Sequence, residues 1–421
     1  MRRTVERVLP AALAAVAPCS QAVGSLLLIL VASRTMDLAG LGRLGLLYGF
    51  FVLGSGVISG FVGDSLTVLD RGARPVRGAL EVWFLLLAGS VAVLLAVGGH
   101  LSGFTDPAQS LVLGLAGFAF VSEEIVRRLL MIELRFGRVI LVDLAMILGT
   151  GLVLLAAAGG GLHLVDFILA ILVGQTTGTL AGVLLIPRPE RYLVPMGRSA
   201  LRQVAAFGIW RAAQQGLRPA VLAGIRIAVI VFTGLAAAGE LEVARVYAAP
   251  ALLLVGGFSS FLFASYARDS DRPLQELVHR ADRAVIALAV LTVLGSIGAL
   301  LLLPVAGPLL TGRMPDAAAV AGWLCLSLGV GASIPYGSLA AVRGRAATVF
   351  GVRLSESVLS LALAAGVVAL SGSFVLAPLC AALGSLAGAV FLRLAVLSQP
   401  KHRVPRQPVH RFTERRSETR A

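Results

Sequence analysis

The sequence predicts an all-α polytopic membrane protein of about twelve transmembrane helices in two six-helix lobes, with the N- and C-termini in the cytoplasm. Three observations lead to this prediction: the hydropathy, the distribution of arginines and a similarity between the two halves. The chain is 57% hydrophobic and has a mean hydropathy of +0.91, which is typical of membrane bundles. Its net charge of +14 comes from arginines that flank apolar segments, so membrane topology explains the charge better than nucleic-acid binding does.

Twelve apolar segments are long enough to cross the hydrocarbon core of a bilayer. They cover, approximately, residues 9–33, 42–68, 79–99, 108–128, 138–158, 165–186, 205–237, 242–266, 282–304, 317–341, 347–370 and 374–397. The first segment resembles a signal peptide, because arginines precede an alanine-rich run. We expect it to be retained, since it contains Pro18 and Gln21 and is followed by eleven further spans.

The basic residues alternate between connections as the positive-inside rule requires. With the N-terminus in the cytoplasm, 30 of the 36 basic residues fall at the inner connections and termini, and four fall in the outer loops. The remaining two, Arg218 and Arg226, lie within the seventh span. A missed or additional span would disrupt this alternation, so the charges independently support twelve helices with both ends inside.

The two halves of the chain resemble each other. The segment around Tyr48 aligns with that around Tyr247 at an offset of 199, and the segment from Arg135 aligns with that from Arg345 at an offset of 210. Because each half has an even number of spans, we expect a repeat of parallel topology. We predict an N-terminal lobe, a cytoplasmic linker, a C-terminal lobe and a basic cytoplasmic tail, over residues 1–186, 187–203, 204–398 and 399–421.

The seventh span is the most polar of the twelve. It contains Arg211, Gln214, Gln215, Arg218 and Arg226. Charged side chains within a membrane usually face a protein interior or a water-filled cavity. On a helix, Arg211 and Arg218 lie about 20° apart and Arg226 about 80° from Arg218, which suggests a cationic wall suited to a phosphate or another anion. The alternative is that these arginines reach lipid headgroups or pair with carboxylates on neighbouring helices. Pro219 removes a backbone donor, and we expect it to bend the helix.

Few other polar residues lie within the spans. Asp64 has no basic residue in its own span, which makes it a candidate coupling residue with a protonation or cavity role. Glu124 with Arg128, and Arg353 with Glu356, have the spacing of structural ion pairs on one helix face. Glycines are spread through the spans, as in GSGVISG at 54–60, where they allow helices to pack closely.

Motifs of soluble chemistry do not occur in the sequence. It has no Walker A, GxSxG or HExxH motif, and its three cysteines and five histidines show no metal-ligand spacing. We therefore predict that the protein is not an enzyme and that it has no catalytic residue, cofactor or metal site.

Two six-span halves and a polar, proline-containing seventh helix, together with stretches such as RRLLMIELRFGRVILVDL, resemble the polysaccharide flippases of the multidrug/oligosaccharidyl-lipid/polysaccharide exporter superfamily. The resemblance implies two lobes around a central cavity lined by the first, second, seventh and eighth helices. It implies that an undecaprenyl-diphosphate-linked oligosaccharide is flipped across the plasma membrane by alternating access during polysaccharide biosynthesis. On this analogy Arg211, Arg218 and Arg226 meet the diphosphate, Gln214 and Gln215 border them, and the N-terminal lobe offers chiefly Gln21.

Two other functions stay open. A cation-coupled multidrug exporter of the same superfamily would rely on acids such as Asp64 and Asp143, and a non-transporting scaffold of a polysaccharide synthesis complex would use the charged spans only for packing. We expect a multi-pass protein of the plasma (inner) membrane. The expected partners are the lipid-linked oligosaccharide, anionic lipids at the basic tail, and a polysaccharide polymerase or glycosyltransferases, with no nucleic acid.

Overall fold

A computed structural model of the protein describes residues 20–70, 72–187, 198–269 and 272–398. Over these ranges it contains twelve long helices and no strand, which confirms the predicted fold class. The helices are α1 (Ser20–Thr35), α2 (Leu38–Val68), α3 (Arg74–Leu101), α4 (Pro107–Ile132), α5 (Phe136–Ala157), α6 (Leu164–Leu185), α7 (Arg198–Thr233), α8 (Leu235–Arg268), α9 (Leu274–Thr311), α10 (Ala317–Val342), α11 (Ala346–Ser371) and α12 (Ala377–Leu397).

The helices coincide one by one with the predicted spans. Ten of them, within the described ranges, are long and apolar enough to cross a membrane, and α1 adds a shorter apolar helix. The protein is therefore a multi-pass membrane protein. The predicted basic tail and most of the predicted linker lie outside the described residues.

Two of the buried apolar clusters largely follow the halves of the sequence. One joins α1 to α6 around Phe51, Phe120 and Phe167, and two valines of α8 pack into it. A second joins α7 to α12 around Trp323, whose indole N–H donates to the Leu241 carbonyl at 3.3 Å. We call α1–α6 the N lobe and α7–α12 the C lobe.

Two inner turns share one backbone geometry. Leu134, between α4 and α5, has a φ of 55°, and Gly344, between α10 and α11, has a φ of 79°. The amide of the arginine that follows each of them, Arg135 or Arg345, donates to the carbonyl five residues earlier. These turns lie 210 residues apart, which is the offset at which the two halves of the sequence align. The glycine at 344 adopts the left-handed conformation at lower cost than Leu134 does.

The boundaries of the seventh helix differ from the prediction. α7 begins at Arg198, so residues 198–203 of the predicted linker are helical, and it ends at Thr233 instead of 237. Gly234, with a φ of 96°, forms the entire connection to α8. A hydropathy window averages over many residues, so it does not detect a break at one glycine between two apolar segments. The helix continues through Pro219.

Candidate functional site

The polar half of α7 packs closely along α2. A Cβ atom at Gly60 would lie 2.5 Å from the Arg211 carbonyl oxygen, and one at Gly56 would lie 3.1 Å from the Gln215 carbonyl oxygen. The close packing predicted for residues 54–60 is therefore confirmed. The last residues of this contact, Ser59–Gly63, form a π-helical turn directly before Asp64. Such turns often occur at functional sites.

Arg211 joins the two lobes through Asp64. The Arg211 Nε donates to Asp64 Oδ2 at 2.8 Å, and its Nη1 donates to Gln214 Oε1 at 2.8 Å. The other Asp64 oxygen lies 3.9 Å from Arg128 Nη1, while Arg128 Nε donates to Glu124 at 3.0 Å. Asp64 is only 8% exposed. A buried carboxylate is thus shared between one guanidinium of each lobe, and the predicted Glu124–Arg128 pair is confirmed.

Arg127 is the centre of a buried charge cluster in the N lobe. Its Nε lies 2.7 Å from Asp143 Oδ1 and 3.5 Å from Glu123 Oε1, and its Nη1 lies 3.2 Å from Glu124 Oε2. The Glu123 Oε1 atom is buried and has no hydrogen-bond partner among the described residues. With Asp64, four carboxylates face three guanidiniums: those of Arg127, Arg128 and Arg211. An additional proton or cation would balance the charges of this cluster.

Helix α1 closes the cluster with uncharged side chains. The Ser20 hydroxyl donates to Asp143, and Gln21 Nε2 donates to Glu124 at 3.4 Å. Gln21 also lines a small polar cavity together with Gln175, and this cavity has about 20 Å³ of space for the centres of water molecules. One water needs about 10–15 Å³ by that measure, so the cavity fits a water molecule and not a lipid headgroup. Gln21 therefore points into the N lobe.

Arg226 is neutralised by an ion pair at the contact between the lobes. Its Nε donates to Glu242 Oε1 at 2.5 Å, and Arg245 Nε donates to Glu242 Oε2 at 2.6 Å. Arg226 is 7% exposed and Glu242 is 1% exposed. Cβ atoms at Gly45 and Gly49 of α2 would lie 2.5 Å and 2.9 Å from these side chains, so glycine makes the space for the pair.

The lobes touch backbone to backbone beside this ion pair, at the end predicted to be extracellular. A Cβ atom on Gly42 would overlap the Leu235 carbonyl, and one on Gly239 would overlap the Leu38 carbonyl. Arg34 of α1 donates to carbonyl oxygens at the end of α9. The structure is therefore closed between the lobes at this end.

Arg218 differs from the other two arginines of α7. It forms no hydrogen bond or ion pair with any residue that the structure describes, and its side chain is exposed. Ile209 and Ile227, nine residues before and after it, are 61% and 41% exposed. Nine residues turn a helix by about 180°, so the apolar outer face of α7 lies opposite Arg218. The Arg218 guanidinium therefore faces the protein side of the helix.

The charged neighbours of Arg218 are Arg353 and Glu356 of α11. Sequence spacing predicts a direct pair between these two, and this prediction is wrong: within the described ranges no guanidinium lies within 4.0 Å of Glu356. The Glu356 carboxylate instead packs against Gly388 of α12, because tertiary packing turns it towards that helix.

The predicted site residues thus fall into three places. Arg211 contacts Asp64 and donates to Gln214, and Asp64 is linked to Gln21 through Arg128 and Glu124. Arg226 contacts Glu242, and Arg218 faces α11, with Gln215 exposed on α7 nearby. Because carboxylates pair with Arg211 and Arg226, the three arginines do not form the continuous cationic wall predicted from the helical wheel. Their contact with substrate stays a prediction. The sequence analysis missed Glu242, although it lies near the start of an apolar segment.

Comparison with known proteins identifies the fold. No protein-family model and no curated protein sequence matches the chain. An inward-facing multidrug resistance MATE family transporter of the MOP superfamily has a TM-score of 0.68 and 14% identity over 90% of this chain and 94% of that one. The lipid II flippase MurJ in an inward closed conformation has a TM-score of 0.69 and 12% identity over 92% of this chain and 88% of that one. A MOP superfamily transporter from Pyrococcus furiosus has a TM-score of 0.62 and 13% identity over 93% of this chain and 94% of that one. The chain therefore shares the fold of MOP superfamily transporters over nearly its whole length.

Proposed function

We propose that the protein is a membrane transporter that flips an anionic lipid-linked substrate, an oligosaccharide on undecaprenyl diphosphate, by alternating access between its lobes. The fold it shares with MATE transporters and with the lipid II flippase supports transport. The observation that supports an anionic substrate is the exposed guanidinium of Arg218 in the middle of α7, which forms no ion pair with any residue that the structure describes.

An arginine at this depth needs compensation. A charged side chain near the centre of a membrane costs about 2.5–3.5 kcal/mol or more unless water or a counter-charge reaches it. Arg211 and Arg226 have carboxylates at 2.6 Å and 2.5 Å, whereas no carboxylate of the described residues lies within 4.0 Å of Arg218. A phosphate group would supply the missing negative charge and accept charge-assisted hydrogen bonds, while a cationic drug would be repelled.

The contacts between the lobes fit an alternating-access cycle. Gly42 and Gly239 close the lobes at the predicted outer end, and Arg211 with Asp64 ties them on the inner half of α7. Passage of a substrate requires these contacts to break in turn. The prenyl chain would stay in lipid, as only the headgroup needs the polar path.

Reconstituted flipping tests the proposal. Proteoliposomes would receive a fluorescent prenyl-diphosphate disaccharide, and its accessibility to a membrane-impermeant quencher would report transfer between leaflets. We expect Arg218→Ala to slow transfer about tenfold or more, because a charge-assisted hydrogen bond is lost. The matched control is Arg202→Ala, which removes an exposed arginine of the same helix. Equal rates for the two variants would contradict an anionic substrate at Arg218.

A second candidate, a cation-coupled multidrug exporter, is favoured by the N lobe, where four carboxylates face three guanidiniums. Reversed polarity of the binding pocket is what suggests a different function for the Pyrococcus furiosus transporter of this fold. An exporter of cations would keep its activity in Arg218→Ala and lose it in Asp143→Asn. Efflux of ethidium from the same proteoliposomes separates the two functions.

A further inference from the structure

Arg353 of α11 lies on the side of its helix that faces the C lobe. Ser360 and Ala364, seven and eleven residues further on, are buried. These spacings return to within about 20° of Arg353 on a helix, so the three residues share one face. Arg353 is nevertheless exposed. Protein therefore does not fill the space beside Arg353, and a recess opens on this face of α11.

Four helices bound this recess. Arg353 Nη2 lies 3.2 Å from the position of a Cβ atom on Gly337 of α10, and the Glu356 side chain rests against Gly388 of α12. Helix α7 packs along α11 on both sides of Arg218: the Trp210 ring lies 5.0 Å from that of Phe350, and a Cβ atom on Gly224 would lie 2.8 Å from Leu361. Arg218 therefore faces the stretch of α11 that carries Arg353 and Glu356. Glycine on α10 and on α12 leaves room where a larger residue would fill the recess.

The charges of the recess do not balance. Arg218 and Arg353 carry two positive charges, Glu356 carries one negative charge, and no direct ion pair forms among the three within the described part of the chain. By contrast, Arg127, Arg128, Arg211 and Arg226 each have a carboxylate oxygen within 3.0 Å. Two guanidiniums that repel each other in a membrane protein are stabilised when an anion binds between them.

We propose that Arg218 and Arg353 form a two-armed anion site inside the C lobe that binds a phosphate or diphosphate group. A guanidinium offers paired N–H donors that match phosphate oxygens. Two guanidiniums on two helices can therefore bind the same phosphate or diphosphate group. This site deepens the proposed function, on which it rests for the identity of the anion as a lipid headgroup. It adds Arg353 to the recognition residues and makes Glu356 a group that weakens anion binding.

Calorimetric titration of the purified full-length protein in detergent tests the site. The probes are inorganic pyrophosphate and farnesyl diphosphate, which share the diphosphate but differ in the prenyl chain. The variants are Arg218→Ala, Arg353→Ala, the double variant, Arg353→Lys and Glu356→Gln, with Arg202→Ala as the control. A thermal melt of each variant identifies any that fails to fold.

We expect Arg353→Ala and Arg218→Ala each to weaken binding about tenfold or more, and the double variant to be little worse than either, because both arms grip one group. Arg353→Lys should keep more affinity than Arg353→Ala. Glu356→Gln should tighten binding about threefold or more, since it removes a repelling charge. This opposite sign distinguishes an anion site from general damage to the lobe. Tighter binding of farnesyl diphosphate would identify a lipid headgroup as the source, and equal binding a soluble anion.

Wild-type affinity in Arg353→Ala would overturn the two-armed site, and so would unchanged or weaker binding in Glu356→Gln. Failure of the wild type to bind either probe would overturn it as well. The flipping assay with Arg218→Ala decides the proposed function separately. Slow flipping by that variant together with normal anion binding by Arg353→Ala would keep the flippase and remove the second arm.

Discussion

Arg211 of α7 and Asp64 of α2, which are 147 residues apart in the sequence, form an ion pair between the lobes with 2.6 Å between Nη2 and Oδ2. The second oxygen of Asp64 lies 3.9 Å from Arg128, which belongs to the same lobe as Asp64. When the lobes separate, Asp64 still has a guanidinium of its own lobe beside it. The pair can therefore open without leaving a buried carboxylate alone.

A double-mutant cycle tests this pair. Asp64→Asn and Arg211→Gln should each slow flipping, because each leaves one charge uncompensated at the contact between the lobes. Combined, they should be less harmful than the sum of the two effects, with a coupling of about 1 kcal/mol, since Arg211 is partly exposed to water. Transfer rates in proteoliposomes are measured for the wild type, the two single variants and the double variant. Additive effects would mean that the pair does not act as a unit.

Glu242 should be among the most sensitive positions of the C lobe. It is buried and compensates both Arg226 and Arg245, so Glu242→Gln leaves two guanidiniums at a buried contact. We expect a loss of about 3–5 kcal/mol in the free energy of unfolding, the range for breaking a buried ion pair. Thermal unfolding in detergent measures the loss. Glu240→Gln, at an exposed position two residues earlier, is the control and should unfold at the wild-type temperature.

Replacing Gly239, in the backbone contact between α2 and α8, and Gly98, outside it, by alanine should change the stability of the protein in opposite directions. Gly239→Ala places a Cβ atom onto the Leu38 carbonyl, and overpacking of this kind costs about 1–3 kcal/mol. Gly98→Ala in α3 meets nothing within 4 Å and should stabilise the protein by up to about 1 kcal/mol through helix propensity. Unfolding temperatures of the two variants should therefore move in opposite directions. A stabilising Gly239→Ala would show that the lobes do not make this contact in the membrane.

Arg127 should be required for folding of the N lobe. Arg127→Gln leaves Glu123, Glu124 and Asp143 facing one another, and we expect a cost of about 3–5 kcal/mol. Adding Asp143→Asn removes one of the repelling charges and should restore part of the stability. Yield from membranes and the unfolding temperature report both effects. If the double variant is less stable than Arg127→Gln alone, charge balance does not explain the cluster.

Spacing within one helix predicted some contacts and not others. Glu124 and Arg128 pair as their i, i+4 spacing predicts, because no neighbouring helix offers Arg128 a closer carboxylate among the described residues. Arg353 and Glu356, at i, i+3, do not pair directly, because the Glu356 carboxylate is turned against Gly388 of α12. Local spacing places two side chains within reach, and the packing of a third helix decides whether they meet.

The identity of the partners lay outside what spacing could predict. Asp64 was selected because its own span has no basic residue, yet its partner Arg211 lies on a helix of the other lobe. Gln21 was expected to contact substrate, and it lies against Glu124 and a water-sized cavity, so its contact with substrate stays a prediction. No periodicity in a single sequence relates positions on helices that far apart.

Hydropathy and arginine distribution by themselves determined that the chain forms twelve membrane helices, because each helix satisfies its backbone hydrogen bonds internally and its length is set by the bilayer. Only the tertiary structure decided where the three arginines of α7 go: Arg211 to Asp64, Arg226 to Glu242, and Arg218 to Arg353 and Glu356. Which charge compensates which depends on the helices that pack side by side. That arrangement is a property of the whole bundle, and it leaves Arg218 and Arg353 without a direct counter-charge from the described residues.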